Sequence, residues 1–182
     1  DKVESANATT RLISSDKVVG IIGELTSTNT AQVMAIAEKK QIPVISPVAT
    51  NDKLTEQKQF ANRVCFTDSF QGAVVANYAT KDLKLKTAVV VSDQAQVYSL
   101  GLAKAFKEAF EKAGGKIVKE IKVSSGDKDF KAVVSQIKTA NPDFLFLPMY
   151  HPEVSMIARQ AKQIGLVKPM FSGDGVANQT FI

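Results

Sequence analysis

The chain has 182 residues, 45% hydrophobic and 23% charged, which is the balance of a folded globular protein and excludes a disordered chain or a coiled coil. No apolar run approaches the ~18 residues that a membrane-spanning helix needs, and the polar opening DKVESANATT contains no secretory or transit signal. The net charge of +5 comes mostly from lysines at spaced positions, a pattern typical of solvated surface. A nucleic-acid surface would cluster arginine with aromatic residues, so we expect no nucleic-acid partner.

The first third of the chain alternates helical and strand patterns. VVGIIG and PVISP are short apolar runs of strand type, and TAQVMAIAEKKQ between them has apolar residues at helical spacing. The predicted elements, in chain order, are helix 3–15, strand 18–23, helix 30–41, strand 43–47 and strand 62–67.

The rest of the chain continues this alternation more regularly. TAVVV is a β-branched run typical of a strand buried on both faces. Gly114-Gly115 and Asn141-Pro142 are helix stop signals. The predicted elements are helix 69–83, strand 87–91, helix 99–115, strand 116–123, helix 129–140, strand 143–149, helix 152–166 and strand 169–173.

Strands that alternate with helices through short connections predict an α/β fold, with parallel sheets flanked by helices and right-handed crossovers. The polar segment NDKLTEQKQFANRVCFTDSF interrupts this rhythm, and we expect the chain to pass there from one sheet to another. The predicted organisation is a partial first lobe at 1–68 and a second lobe at 69–182. Because the first lobe opens on a helix, we expect its first strand to lie outside this chain.

Few residue types suited to metal or nucleophile chemistry are present. The single cysteine, Cys65, excludes an intrachain disulfide and lies in an apolar run that predicts a buried, inert thiol. One cysteine and one histidine, His151, cannot build a multi-His/Cys zinc site. His151 is either a helix-entry residue before Pro152 or a ligand contact. We expect no metal and no cofactor.

Catalysis has little support in the sequence. No GxGxxG, GxxxxGK[ST] or GxSxG motif is present, which leaves dinucleotide, P-loop and serine-hydrolase chemistry unsupported. Asp93 and Asp174 are the only candidates for an acid–base pair. We therefore expect a protein that is not an enzyme and has no catalytic residues.

A binding site for a small molecule is better supported, because ligands of parallel α/β sheets bind at the carboxyl ends of strands. Ser27 lies in a hydroxyl-rich loop at the start of a helix, and Thr50 follows the neighbouring strand. Hydroxyls and helix N-terminal N–H groups suit a carboxylate, and Asp174 could meet an ammonium group. Tyr98 and Tyr150 could form the walls of an α-amino acid site. Each of these residues also has a structural interpretation, as a helix cap, a turn residue or a packing residue.

Three segments together resemble the type I periplasmic solute-binding proteins of the branched-chain amino-acid (leucine/isoleucine/valine) family: GELTSTNTAQVMAIAEKKQIPVISPVATNDKLT, GDKDFKAVVSQIKTANPDFLFLPMYHPE and GLVKPMFSGDGV. The resemblance implies two Rossmann-like lobes, with an N-terminal strand–helix–strand unit and a C-terminal return segment outside this chain. It also implies an extracytoplasmic protein whose lobes close by a hinge around a small aliphatic amino acid and deliver it to an ABC permease. The alternative is a ligand-sensing domain of a regulator or receptor with the same fold.

The resemblance also assigns roles to individual residues. Ser27 would contact the ligand carboxylate, the 48–50 segment would hold the carboxylate and the ammonium, and Asp174 occupies a position where many members carry glutamate. The implied ligand-binding residues are Ser27, Val48, Ala49, Thr50, Tyr98, Tyr150 and Asp174.

Overall fold

The computed structural model describes residues 1–179, which divide into two compact units, Asp1–Asp68 and the chain from Ser69 onward. Each unit contains its own sheet, and every strand pair in both sheets is parallel. The α/β class and the parallel sheets flanked by helices are therefore as predicted.

The first unit contains a three-stranded sheet in the order β1-β2-β3. Ile21 pairs with Val44, and Ile45 pairs with Asn62. Its core is a small apolar cluster in which Val33, Met34 and Ala37 of the second helix pack against the sheet. The elements are α1 (Lys2–Ser14), β1 (Ile21–Ile22), α2 (Ser27–Lys39), β2 (Val44–Ser46) and β3 (Ala61–Arg63).

Only one face of the strand β1 is covered. Ile21 packs against the core cluster, whereas Ile22, which alternation turns to the other face, is 86% exposed. The prediction of a strand at 18–23 captured the position of β1 but not its length, because only Ile21 and Ile22 pair in the sheet.

The second unit contains a four-stranded sheet in the order β5-β4-β6-β7. A π-helical turn, Tyr78–Asp82, follows α3, and a short 3-10 turn, Asp174–Val176, follows β7. The elements are α3 (Asp68–Asn77), β4 (Thr87–Asp93), α4 (Val97–Lys112), β5 (Lys116–Val123), α5 (Lys131–Ala140), β6 (Phe144–Phe146), α6 (His151–Gln163) and β7 (Met170–Phe171).

Alternation along the strand β4 divides the core of the second unit into two apolar clusters. Val89 and Val91 belong to the cluster that contains Val134 and Ile137 of α5, whereas Val90 belongs to the cluster that contains residues of α4. Helices therefore cover the sheet on both faces, which explains why TAVVV is apolar without interruption.

Candidate functional site

Two loops follow the neighbouring strands β1 and β2 at the carboxyl edge of the first sheet, and hydrogen bonds join them. The Ser46 hydroxyl donates to the carbonyl oxygen of Glu24 at 2.8 Å and accepts from the Ala49 N–H at 3.1 Å. The Asn51 N–H donates to Ser27 Oγ at 3.3 Å. The two hydroxyl-rich loops that the sequence singled out are thus held together by serine side chains at fully buried positions.

Ser27 is the first residue of α2, which begins three residues before its predicted start at residue 30. The helix extends into the polar segment STNT, where apolar periodicity gives no signal. The N-cap residue Thr26 makes no side-chain cap hydrogen bond. The positive end of the α2 dipole therefore lies at the same edge of the sheet as the Ser27 hydroxyl.

The predicted residues Val48, Ala49 and Thr50 lie in the loop after β2 and differ in their exposure to solvent. Val48 is 41% exposed, whereas Ala49 and Thr50 are buried. The carbonyl of Thr50 accepts from the Asp68 N–H at 2.9 Å. The Thr50 hydroxyl makes no hydrogen bond within residues 1–179. Its proton can therefore be donated to a group outside the chain.

Arg63 on β3 holds the outer part of the same loop. Its guanidinium donates to the carbonyl oxygens of Ala49 at 3.3 Å and Asp52 at 3.0 Å, and to the Thr55 hydroxyl at 2.8 Å. Three hydrogen bonds from one planar group give this loop a defined conformation. Cys65 also donates to the Ala49 carbonyl, at 3.5 Å, and is only half-buried rather than buried as predicted.

In the second unit, Asp174 lies in the 3-10 turn after β7 and pairs with Gln71 of α3. The Gln71 amide nitrogen donates to Asp174 Oδ1 at 2.9 Å, and the Asp174 N–H donates to Gln71 Oε1 at 2.9 Å. Gln71 is buried, whereas Asp174 is half-buried. These two hydrogen bonds hold Asp174 in place, one through a single carboxylate oxygen and the other through its backbone N–H.

Tyr98 and Tyr150 follow β4 and β6 and stack on each other, with ring centroids 5.0 Å apart. Tyr98, in the first turn of α4, is 2% exposed and accepts a hydrogen bond from the Gly175 N–H at 3.0 Å. Tyr150 is the half-buried N-cap residue of α6. The two aromatic rings therefore stand beside the turn that carries Asp174.

Gly173 is closely surrounded by the ends of three side chains. A Cβ at this position would lie 2.6 Å from the Tyr98 hydroxyl and from Leu102 Cδ2, and 2.8 Å from Gln71 Oε1. The ends of these three side chains would have to shift to admit a Cβ, so the absence of a side chain at Gly173 lets the turn of Asp174 lie close to Tyr98 and Gln71.

A comparison with known proteins identifies the family. The profile of the family described as periplasmic binding protein matches residues 1–180. The chain belongs to this family. The predicted resemblance is thereby confirmed.

Several periplasmic binding proteins are close relatives. The Leu/Ile/Val-binding protein of Escherichia coli (strain K12) is 34% identical over 176 residues, which are 96% of this chain and 48% of that protein. The crystal structure of the leucine-binding protein LivK from Thermotoga maritima MSB8 matches with a TM-score of 0.94 and 41% identity, over 96% of this chain and 50% of that one. LivJ of Streptococcus pneumoniae, a branched-chain amino acid transporter substrate-binding protein solved with isoleucine, matches with a TM-score of 0.87 and 37% identity, over 96% and 49% of the two chains. The chain thus spans about half the length of the relatives that it matches.

In this periplasmic binding protein Asp93, one half of the acid–base pair considered from the sequence, has structural partners. Its carboxylate accepts from the Ala95 N–H at 2.8 Å and from the Ser125 hydroxyl, and its own N–H donates to Ser99 Oγ at 2.8 Å. Asp93 is buried and links the end of β4 to the start of α4 and to the loop after β5. Asp174 has Gln71 as its partner instead.

The described residues hold no group of three His, Cys, Asp or Glu side chains placed to bind a metal ion. None of the helices described is both long and apolar enough to cross a membrane.

The sequence did not indicate three residues whose hydrogen bonds hold the candidate site residues: Ser46, Arg63 and Gln71. Ser46 could have been noticed, because it ends a strand in the SPVATN segment. The partner of Gln71 lies 103 residues further along the chain, and no local pattern links positions so far apart.

Proposed function

We propose that this chain binds a free aliphatic amino acid as part of an extracytoplasmic solute-binding protein that delivers the amino acid to an ABC permease. The chain's family is one of solute-binding proteins, and its relatives include proteins named for binding leucine, isoleucine and valine. In this proposal the protein is a carrier and performs no catalysis.

The observation that carries the proposal is the hydrogen bond from the Asn51 N–H to Ser27 Oγ. A serine hydroxyl has one proton to donate, and Ser27 uses only an acceptor position in this bond. Its proton and that of Thr50 therefore remain for a ligand. A carboxylate is the best acceptor for two hydroxyl protons beside the N-terminus of α2, because the helix dipole adds ~0.3–1 kcal/mol in favour of an anion.

The ammonium group of the ligand would bind Asp174. One carboxylate oxygen of Asp174 accepts from Gln71, and the other oxygen is suited to a second, charged donor. In this proposal the second unit supplies the acidic partner and the first unit the hydroxyl donors. Closure of two lobes on the ligand follows from this division, since a ligand that contacts both stabilises the closed state by its differential affinity.

Of the other predicted residues, some would contact the ligand and others would support the residues that do. The exposed Val48 side chain and the ring of the half-buried Tyr150 are suited to an aliphatic side chain. Tyr98 would act through its neighbours, because its hydroxyl binds Gly175 and its ring stacks on Tyr150. Ala49 would act through backbone conformation, since its N–H and carbonyl both have partners in the first unit.

Calorimetric titration of the chain with leucine, isoleucine and valine tests the proposal. Asp174→Asn keeps an oxygen for Gln71 but removes the charge, so we expect the dissociation constant to rise at least about tenfold. Ser27→Ala removes one hydroxyl donor to the carboxylate and should weaken binding about 10- to 100-fold, as for a hydrogen bond to a charged group.

Glu56→Gln and Ser14→Ala are the matched controls, because each makes the same chemical change at an exposed position and should leave binding unchanged. If the parent chain binds none of the three amino acids, the proposed ligand class is wrong. If it binds and Asp174→Asn binds equally well, the assignment of the ammonium contact is wrong.

A further inference from the structure

The net charge of the chain lies entirely in the second unit. Residues 1–68 contain eight lysines and arginines and eight aspartates and glutamates, so their charges cancel. Residues 69–182 contain fifteen basic and ten acidic residues, which account for the whole excess of +5. A surface excess of this size within one unit indicates a preference for anionic partners if the lysines are clustered.

Many of these lysines share one edge of the second sheet. The strands of this sheet are parallel and ordered β5-β4-β6-β7, so their amino ends lie along one edge about 14 Å long, given a strand spacing of ~4.8 Å. Lys116 begins β5, and the Lys116 N–H donates to the Lys86 carbonyl immediately before β4. We call this edge the amino edge; its lysines are Lys81, Lys84, Lys86, Lys112, Lys116 and Lys168.

The lysines of the amino edge are not used by ion pairs. The ion pairs of the second unit within residues 1–179 are Lys104–Glu108 and Lys107–Glu120, and neither includes a lysine of this edge. The acidic residues at the edge are Asp82, Glu111 and Asp143, half as many as the lysines. Helix C-termini favour nearby cations, which accounts for Lys112 at the end of α4. Lys84 and Lys86 lie in connections and have no such explanation, whereas the charge of Lys168 acts on the Asp143 carboxylate.

Two exposed apolar side chains stand among these lysines. Leu83 is 40% exposed and directly precedes Lys84, and Val167 is 89% exposed and directly precedes Lys168. Lysines beside exposed aliphatic side chains suit a lipid interface, where the charges meet headgroups and the apolar groups enter the acyl boundary.

We propose that the amino edge of the second sheet binds the surface of an anionic phospholipid membrane. The edge contains lysine and no arginine, which does not favour nucleic acid. A cavity of about 330 Å³ lies there between Lys84, Lys86 and Gly114, but a site for free phosphate alone would not explain the exposed Leu83 and Val167. The proposal is independent of the amino-acid site, because these lysines lie at the amino ends of the strands of the second sheet, whereas Tyr98, Tyr150 and Asp174 follow the carboxyl ends of strands in the same sheet.

Co-sedimentation with phosphatidylcholine vesicles, prepared with and without phosphatidylglycerol, tests this proposal. We expect binding only to the anionic vesicles, weakened by high salt. The triple variant Lys84→Gln, Lys86→Gln and Lys116→Gln should lower the partition coefficient about 100-fold, since each lysine near an anionic surface contributes about fivefold. Val167→Ser should lower it further without changing the charge.

A second triple variant, Lys39→Gln, Lys128→Gln and Lys131→Gln, loses the same charge at exposed positions elsewhere and should bind the vesicles nearly as well as the parent. Equal loss in the two triple variants would mean that net charge alone attracts the protein, and it would overturn the proposal. Equal binding to neutral vesicles, no binding to either kind, or full displacement by millimolar inorganic phosphate would each overturn it as well. Circular dichroism and ligand titration of each variant exclude loss of folding as the cause.

Discussion

Asp143 shows how one carboxylate can join two strands of a parallel sheet. Its Oδ2 accepts from the N–H groups of Lys86 and Thr87, both at 2.8 Å, and its own N–H donates to Thr87. The hydrogen bond from the Lys86 N–H is the main cause that lowers the pKa of Asp143 below its ordinary value of 3.8, with the Thr87 hydrogen bonds and the charge of Lys168 acting in the same direction. Asp143 thereby joins the starts of β4 and β6, and its hydrogen bonds are stronger when the carboxylate is ionised.

A pH dependence of stability follows from this lowered pKa. A carboxylate whose pKa is lower in the folded than in the unfolded chain stabilises the fold above its unfolded pKa, and this contribution disappears as pH falls through the folded pKa. We expect Asp143→Ala to lower the free energy of unfolding by about 1–2 kcal/mol at neutral pH. The difference from the parent should shrink as the pH is lowered below 3.8.

Urea titrations at neutral and acidic pH measure this effect. Asp143→Asn, which keeps an acceptor oxygen without the charge, should lose less stability than Asp143→Ala, and its own stability should vary less with pH than that of the parent. A difference between Asp143→Ala and the parent that stays constant from neutral pH to below 3.8 would show that the charge of Asp143 does not contribute.

At the scale of the elements, Gly72 sets how closely α3 packs against α4. A Cβ at this position would lie 2.6 Å from the backbone nitrogen of Phe106 and 2.8 Å from the carbonyl carbon of Ala105. Because these are backbone atoms of a helix, they cannot turn away as the end of a side chain could. The contact between the two helices therefore depends on the absence of a side chain at Gly72.

Helix propensity and packing predict opposite results for Gly72→Ala. Alanine is favoured over glycine within a helix by about 1 kcal/mol, so propensity alone predicts stabilisation. The backbone contact requires α3 and α4 to separate, and such overpacking costs about 1–3 kcal/mol. We expect packing to dominate and the urea midpoint to fall. Ser135→Ala on the exposed face of α5 raises helix propensity without a buried neighbour and should leave the midpoint unchanged or slightly higher; a rise of the same kind for Gly72→Ala would contradict the packing argument.

The same elements show what the sequence could reveal. The strand β5 has its predicted bounds, 116–123, because it alternates regularly and begins after a double-glycine helix stop. The helix α2 begins earlier than predicted, because polar residues in a first turn carry no periodic signal. The ends of strands depend on pairing with distant residues, and β6 is accordingly shorter than the predicted 143–149.

The candidate site was predictable to a similar degree. Ser27 and Thr50 could be proposed because each lies in the loop or helix start that comes a few residues after a strand. The supporting contacts of Arg63 and Gln71 could not, because each joins residues that only the folded sheet or helix brings together. Local sequence thus indicated which side chains follow the strands, and packing determined which groups hold them.

At the scale of the whole molecule, a bound amino acid should raise the stability of the chain. Ligand that binds only the folded state adds RT ln(1 + [L]/Kd) to the free energy of unfolding, about 2.7 kcal/mol at 100 times the dissociation constant. We expect L-leucine, L-isoleucine or L-valine to raise the melting temperature by several degrees, because 1 kcal/mol corresponds to about 2–8 °C for domains of this size range.

Stereochemistry and charge provide the controls for this measurement. D-leucine has the same groups and charges as L-leucine, but it cannot present its carboxylate, ammonium and side chain in the same arrangement, so its shift should be much smaller. In Asp174→Asn the shift by the L-amino acid should fall, because the ammonium group loses its charged partner while the hydrogen bond from Gln71 remains. Equal shifts by the two enantiomers would indicate a non-specific solute effect. If the shift in Asp174→Asn is undiminished and the L-form is clearly preferred, the chain binds the amino acid but a group other than Asp174 contacts its ammonium.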